Sequence, residues 1–132
     1  GDVRIDEWQL FTPSAVQYPG VQMSSNNSLG YVASASSSSG AGFEAFRAFQ
    51  LILSDSSRWI SASGAGAKWL QIDLGTPRSI SSMKIAPDGA ATSDGGYHPL
   101  DIEVLASNTG SFSGEEVTIY TATNLVTAGW TG

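Results

Sequence analysis

Residues 68–75 read KWLQIDLG, and this stretch decides the fold class. Its apolar residues stand at every second position after the tryptophan: Leu70, Ile72 and Leu74. Successive side chains of a β-strand point to opposite faces, so this alternation predicts a strand with one buried and one polar face. The Gly-Thr-Pro sequence at 75–77 predicts the end of that strand.

The same alternation recurs along the chain in GYVASASS (30–37), SISSMKIAP (79–87), LDIEVLAS (100–107) and EVTIYTA (116–122). In the second of these, the apolar register shifts between Ile80 and Met83, which predicts a β-bulge. In the last, Val117, Ile119 and Thr121 form the alternating set, which predicts that they share the buried face. Long Gly/Ser-rich loops separate these segments, as is typical of an antiparallel β-sandwich whose loops carry function.

One segment has helical spacing. In GFEAFRAFQLIL (42–53) the large apolar residues recur at steps of three, three and four. They are Phe43, Phe46, Phe49 and Leu53. The spacing predicts a short helix that closes one end of a β core, with an aromatic ligand platform as the alternative. The predicted fold class is therefore all-β, a sandwich with one short helix.

Composition excludes several classes of partner. The 132 residues include twelve acidic and six basic residues, for a net charge of -6, and the basic residues are scattered. A nucleic-acid interface and an anionic membrane surface both require clustered positive charge, so neither partner is expected. With no cysteine in the chain, no disulfide or thiolate metal site is expected.

The sequence offers little for catalysis. His98 is the single histidine, and the carboxylate pairs Asp6–Glu7 and Glu115–Glu116 are neighbours in the chain. Adjacent residues of a strand point to opposite faces, so neither pair predicts an acid–base couple, and both are interpreted as solvated charge. We expect no catalytic residue and no enzymatic activity.

The combination that favours binding lies in SDGGYHP (93–99). An aromatic ring covers the apolar face of a sugar, while charged or imidazole groups bond its hydroxyls. The candidate ligand-binding residues are Asp94, Tyr97, His98, Arg58 and Trp130. The alternative is an ordinary capping loop. Trp59 and Trp69 adjoin strand signals, which predicts that both pack in the core.

These segments together resemble the discoidin, or coagulation factor 5/8 type C, family and its carbohydrate-binding branch, carbohydrate-binding module family 32. The similarity covers about 100 residues, from Val21 to Tyr120, and is carried by ordered matches. These are Ala48-Phe49, Trp59, residues 69–75, Pro99, Asp101 and Ser107-Asn108. The resemblance implies a jelly-roll sandwich of the galactose-binding-domain type. It also implies a non-catalytic module that recognises galactose-like or other glycans.

The resemblance also bears on metal binding and on membranes. Members of the family hold a structural calcium ion with an aspartate at the position of Gln50, and a neutral amide is a poorer ligand. Asp55 is the candidate that would compensate, so no cofactor is expected unless Asp55 holds calcium. The lipid-binding branch carries a disulfide, which this chain lacks.

The segment VRIDEWQLF (3–11) resembles the last strand of the family although it stands first. We treat residues 1–12 as a terminal strand and 13–132 as the sandwich. The strand would end a preceding module, fold back as in a circular permutant, or pair with a neighbouring copy. A phage-tail-like parent polypeptide, exposed on a virion or outside the cell, is the expected setting. The alternative function is a structural domain that assembles by strand exchange without binding sugar.

Overall fold

The computed structural model of the protein describes residues 3–54, 56–87, 99, 101–125 and 131–132. The described chain is built from β-strands and one 3-10 helix, so the predicted all-β fold class is confirmed. The strands are β1 (Arg4–Phe11), β2 (Gln17–Tyr18), β3 (Asn27–Ser28), β4 (Tyr31–Ala35), β5 (Trp59–Ile60), β6 (Leu70–Asp73), β7 (Ser82–Pro87), β8 (Ile102–Ala106) and β9 (Val117–Ala122). The 3-10 helix spans Ala45–Phe49.

The strands form three antiparallel groups. In the first, β2, β1 and β5 are neighbours, and β7 also pairs with β1. The second has the order β3-β4-β6, and the third is the pair β8-β9. The predicted strand at 68–75 is β6, which pairs with β4 from Ala35 opposite Leu70 to Val32 opposite Asp73.

Strand β1 lies inside the first sheet and pairs within its own chain. On one edge it runs antiparallel to β7, from Phe11 opposite Ser82 to Ile5 opposite Pro87. On the other edge Ile5 faces Trp59 in β5, and Leu10 faces Tyr18 in β2. This is the geometry of the fold-back alternative, and the domain boundary at residue 12 stays a prediction.

All three groups of strands contribute to one core. The buried residues in contact with one another are Ile5, Leu10, Met23, Ala33, Ala45, Ala48, Phe49, Trp59, Met83, Ile85 and Val104. The 3-10 helix places Ala48 and Phe49, both 0% exposed, against β1, and the Trp8 and Phe49 rings lie 5.6 Å apart. The helix therefore covers the core, as its spacing predicts, although it is shorter than the predicted segment.

The predicted buried face of β9 and the predicted bulge between Ile80 and Met83 are both wrong. Val117 and Ile119 are 61% and 47% exposed, because β9 turns Tyr120 rather than these residues toward the core. The register shift between Val104 and Leu105 accompanies this change of face. No bulge separates Ile80 from Met83, since β7 begins only at Ser82.

A bulge lies instead in β1, between Ile5 and Glu7. Asp6 and Glu7 are both 0% exposed, which contradicts their interpretation as solvated charge. An extra residue in one strand suspends the alternation of faces on which that interpretation rests. Both carboxyl groups are therefore enclosed by the fold.

Within the described residues, no helix combines the length and the apolar character that crossing a bilayer requires.

Candidate functional site

Two loops meet where β5 and β6 begin or end, and we call residues 36–42 and 61–69 the loop rim. Ser39 N donates to Ile60 O at 2.9 Å, and Trp59 Nε1 donates to Ser37 O at 3.0 Å. Ser61 N donates to Val3 O at 2.9 Å, which attaches the rim to the start of β1. These bonds give the rim a fixed backbone although it is rich in glycine and serine.

Trp69 presents its indole ring at this rim. Its side chain is 52% exposed, so the prediction that Trp69 packs in the core is wrong, whereas Trp59, 2% exposed, does pack there. The alternation of β6 explains the difference, because Leu70 and Ile72 pack against the core and Trp69 falls outside that set. Ser36 N donates to Trp69 O at 2.9 Å, and Trp69 N donates to Ser36 Oγ at 3.1 Å.

A cleft of about 540 Å³ lies between the loop rim and the β8-β9 pair. Two of its lining residues directly precede Trp69 in the chain. It is lined by Ala67, Lys68, Asp101, Ile102, Glu103, Leu105, Thr121, Ala122 and Thr123. This volume lies within the about 300 to 1,000 Å³ of typical small-molecule sites. Apolar side chains and opposite charges are both present, which suits a ligand with apolar patches and many hydroxyl groups.

The charged groups of the cleft differ in how they are held. Asp101 Oδ1 accepts a hydrogen bond from Asn124 N at 3.1 Å, and Glu103 Oε1 accepts one from Thr118 Oγ1 at 3.0 Å. Each carboxylate keeps a second oxygen that can accept from a ligand hydroxyl. Lys68 forms no ion pair or hydrogen bond with the described part of the chain, so its ammonium group is free to donate.

The predicted binding residues fall mostly outside the described ranges. Asp94, Tyr97, His98 and Trp130 are among these, as is the candidate metal ligand Asp55. Strand β7 ends at Pro87, opposite Ile5 and close to the rim, and the predicted loop follows it in the sequence. Arg58 is half-buried before β5 and does not line this cleft. Its role in binding stays a prediction.

The calcium position implied by the family resemblance is occupied by hydrogen bonds. Gln50 donates its side-chain N–H to the carbonyl of Met23, and its Oε1 accepts from Gln22 Nε2 at 3.1 Å. The Gln50 amide therefore points its N–H group toward the Met23 carbonyl, and its oxygen is already bonded to Gln22. Calcium requires oxygen ligands, usually several carboxylates among them.

The carboxyl group that faces residues 50–52 is Glu7. Ile52 N donates to Glu7 Oε2 at 3.2 Å, while Oε1 has no hydrogen-bond partner among the described residues. Burial raises the pKa of Glu7 to about 8, against a partial lowering by the backbone N–H groups of 50–52. The amide of Gln50 adds no charge to this site, so Glu7 is the one carboxyl group that the described residues bring to it, and whether Asp55 would add a ligand stays a prediction.

A family model described as "NedA-like, galactose-binding domain", one of the F5/8 type C models, matches residues 53–131. The match covers more than half of the 132 residues. The chain belongs to the F5/8 type C family. The family is a non-catalytic type of binding domain, and its fold is the galactose-binding-like sandwich. Neither the comparison with curated proteins nor that with solved structures returned a match to this F5/8 type C domain.

Sequence reasoning missed Lys68 and Glu103 as candidate binding residues of this F5/8 type C domain. Each adjoins or belongs to a correctly predicted strand, and only the approach of the rim to β8 brings them to one cleft. The signal available in the sequence was their position at the ends of two strands, since loops and strand ends at one edge of a sandwich form its binding surface.

Proposed function

We propose that the protein is a non-catalytic carbohydrate-binding module that takes a galactose-type sugar at the loop rim. The observation that supports this most directly is the cleft of about 540 Å³ with Lys68, Asp101 and Glu103 in its lining, in a member of the galactose-binding-like family. The half-exposed Trp69 adjoins this lining in the chain. Recognition of this kind requires hydrogen bonds and apolar contact, and it involves no covalent step.

Each group has a defined role in the proposed complex. The Lys68 ammonium donates to a sugar hydroxyl, and the free oxygens of Asp101 and Glu103 accept from neighbouring hydroxyls. Ile102 and Leu105 contact the C–H face of the ring. Asp94, Tyr97 and His98, from the loop that follows β7, complete the site in this proposal, as the sequence predicts.

The proposed ligand in its natural setting is a glycan of a cell surface. The expectation of a phage-tail-like parent motivates a place on a virion or outside the cell, as part of a larger polypeptide. In that setting the module attaches its parent to a polysaccharide and so contributes to adhesion. Nucleic acid and membrane are not proposed as partners, given the net charge of -6.

Two experiments test the proposal: calorimetric titration with galactose and lactose, and binding to a glycan array. We expect Lys68→Ala and Tyr97→Ala to weaken binding of the galactose-type sugar about tenfold or more, as for loss of one good polar or stacking contact. Lys84→Ala is the matched control, because it removes the same charge from an exposed position on β7, outside the cleft. No binding across the panel, or equal losses in all three variants, would contradict the proposed site.

The assembly alternative has a less favourable geometry. A strand that exchanges between copies must leave its own sheet, and β1 is hydrogen-bonded to β7 on one edge and to β2 and β5 on the other. We therefore expect a monomer by light scattering at micromolar concentration. A stable oligomer without sugar affinity would favour the structural domain instead.

A further inference from the structure

A second cleft lies at the end of the molecule opposite the loop rim. It has a volume of about 250 Å³ and is lined by Thr12, Pro13, Ser14, Val16, Tyr18, Pro77, Arg78 and Ser79. Its walls are the turn that joins β1 to β2 and the loop between β6 and β7. The length of β1 separates it from the rim by about 25 Å at the usual rise per residue. It is therefore a different site from the proposed galactose site.

Arg78 is stacked on Tyr18 in this cleft. The guanidinium carbon lies 4.0 Å from the centroid of the Tyr18 ring, well inside the range of a cation–π contact. This contact restricts the position of the guanidinium group, and its N–H donors make no hydrogen bond with the described residues. A planar fork held in this way is the group that binds a carboxylate through two parallel hydrogen bonds.

The donors of Arg78 are not used within the described part of the chain. Arg78 is exposed, and among the described residues its polar contact is with the Tyr18 ring. By contrast, Arg47 Nε donates to Glu44 Oε2 at 2.6 Å in an ion pair. In a chain with twice as many acidic as basic residues, an arginine that is oriented but unpaired is suited to an anion from outside the molecule.

The remaining lining supplies hydroxyl groups and a small apolar surface. The hydroxyls of Tyr18 and Ser79 have no hydrogen-bond partner among the described residues. The turn is held in place, because Thr12 N donates to Val16 O at 2.9 Å and Val16 N donates to Thr12 Oγ1 at 3.2 Å. A site of about 250 Å³ is smaller than typical sites for drug-sized ligands, and it suits one small ring.

We propose that this cleft binds an acidic monosaccharide, with the carboxylate on the edge of the Arg78 guanidinium and the ring hydroxyls toward Ser79 and Tyr18. The proposal goes beyond the galactose site, since it concerns other residues, the other end of the fold and a charged ligand. The protein would then bind a neutral sugar at the loop rim and an acidic sugar at the other end at the same time.

Titration with sodium glucuronate at constant ionic strength tests the proposal. Binding is measured by calorimetry and by changes in the NMR chemical shifts of the backbone amides. We expect Arg78→Ala to abolish the heat of binding. Arg78→Lys should weaken it about tenfold or more, because lysine keeps the charge but loses the fork. The control Lys84→Ala removes the same charge from an exposed site on β7 and should leave the affinity unchanged.

Acetate, sulfate and methyl glucoside distinguish the ligand chemistry. We expect acetate and sulfate to bind more weakly than glucuronate, since they lack the ring, and methyl glucoside to give no Arg78-dependent signal. Equal binding of sulfate and glucuronate, or unchanged glucuronate affinity in Arg78→Ala, would overturn the proposal. Arg78→Ala should leave galactose binding at the rim unchanged, so a failure of one site is distinguishable from a failure of the other.

Discussion

Glu7 carries a carboxyl group that the fold buries completely. Burial raises its pKa from an ordinary value of 4.5 to about 8, because removal from water disfavours the charged form. Between these two values the unfolded chain releases the proton while the folded chain retains it. The free energy of unfolding therefore decreases as pH rises from 4.5 to 8, by up to about 1.4 kcal/mol per pH unit.

Replacing Glu7 by glutamine should remove this dependence. We expect Glu7→Gln to match the parent near pH 4.5 and to exceed its stability at pH 8, because the amide has no proton to lose. Urea unfolding at several pH values measures the effect. Glu103→Gln is the control at an exposed carboxylate and should leave the slope unchanged. Parallel pH profiles for Glu7→Gln and the parent would show that Glu7 does not titrate in this range.

Gln50 governs the expected response to calcium. With an amide at this position, we expect the melting temperature of the parent to be the same in calcium and in chelator. Gln50→Asp places a carboxylate beside the segment that faces Glu7, so it should lower the melting temperature in chelator and restore much of it in calcium. Gln22→Asp is a suitable control, since Gln22 bonds Gln50 from outside that segment. A calcium-dependent parent would instead implicate Asp55 as a ligand.

At the scale of the elements, the turn after β6 rests on the turn before β4. Gly75 has a φ of +78°, and a Cβ there would lie 2.4 Å from the carbonyl oxygen of Gly30. Gly110 has a similar φ of +76° with nothing within 4 Å of a Cβ. Both substitutions to alanine carry the cost of a left-handed conformation, about 1–2 kcal/mol. Only Gly75→Ala adds a steric clash.

We therefore expect Gly75→Ala to destabilise the protein by about 1–3 kcal/mol more than Gly110→Ala. Paired chemical denaturation curves measure the difference, and the shared conformational cost cancels between the two variants. Equal losses would mean that the two turns separate readily, and that the contact does not fix β6 against β4.

The elements could be predicted to different degrees. Strands β4, β6, β7 and β8 follow from period-two alternation, because one face of each meets the core. The buried face of β9 could not be predicted, since Val117 and Ile119 are as apolar as core residues. Only the register shift against β8 turns them outward. The burial of Asp6 and Glu7 depends on a bulge in β1, and nothing in VRIDEWQLF marks its position.

At the scale of the whole molecule, β1 is required for the sheet it joins. It supplies Ile5 and Leu10 to the core and is the common neighbour of β2, β5 and β7. We expect a chain that begins at residue 13 to be unfolded by circular dichroism and to lack dispersed amide signals. A chain that begins at residue 3 keeps β1 and should fold. A folded 13–132 fragment would show that β1 belongs to a preceding module.

The fold class and the family could be predicted from sequence because they rest on an ordered series of motifs around WLQIDLG. The two clefts could not be predicted from sequence, because each is lined by segments that are distant in the chain. Lys68 and Asp101 line one cleft only through the packing of two sheets, and Arg78 contacts Tyr18 only because β1 and β7 align their ends. The predicted residues Asp94, Tyr97 and His98 stay predictions for the sugar titration to decide.

The surroundings of β7 have one more consequence. Ile85 faces Trp8 of β1 on one side, and on the other it exchanges two backbone hydrogen bonds of 2.8 Å with Thr131. Thr131 thus lies two strand spacings, about 10 Å, from Trp8 across the sheet, and Val3 lies five residues further along β1, about 17 Å away. Head-to-tail ligation through a peptide of about eight residues should close the backbone into a ring without distorting it. Such a ring would resist exopeptidases.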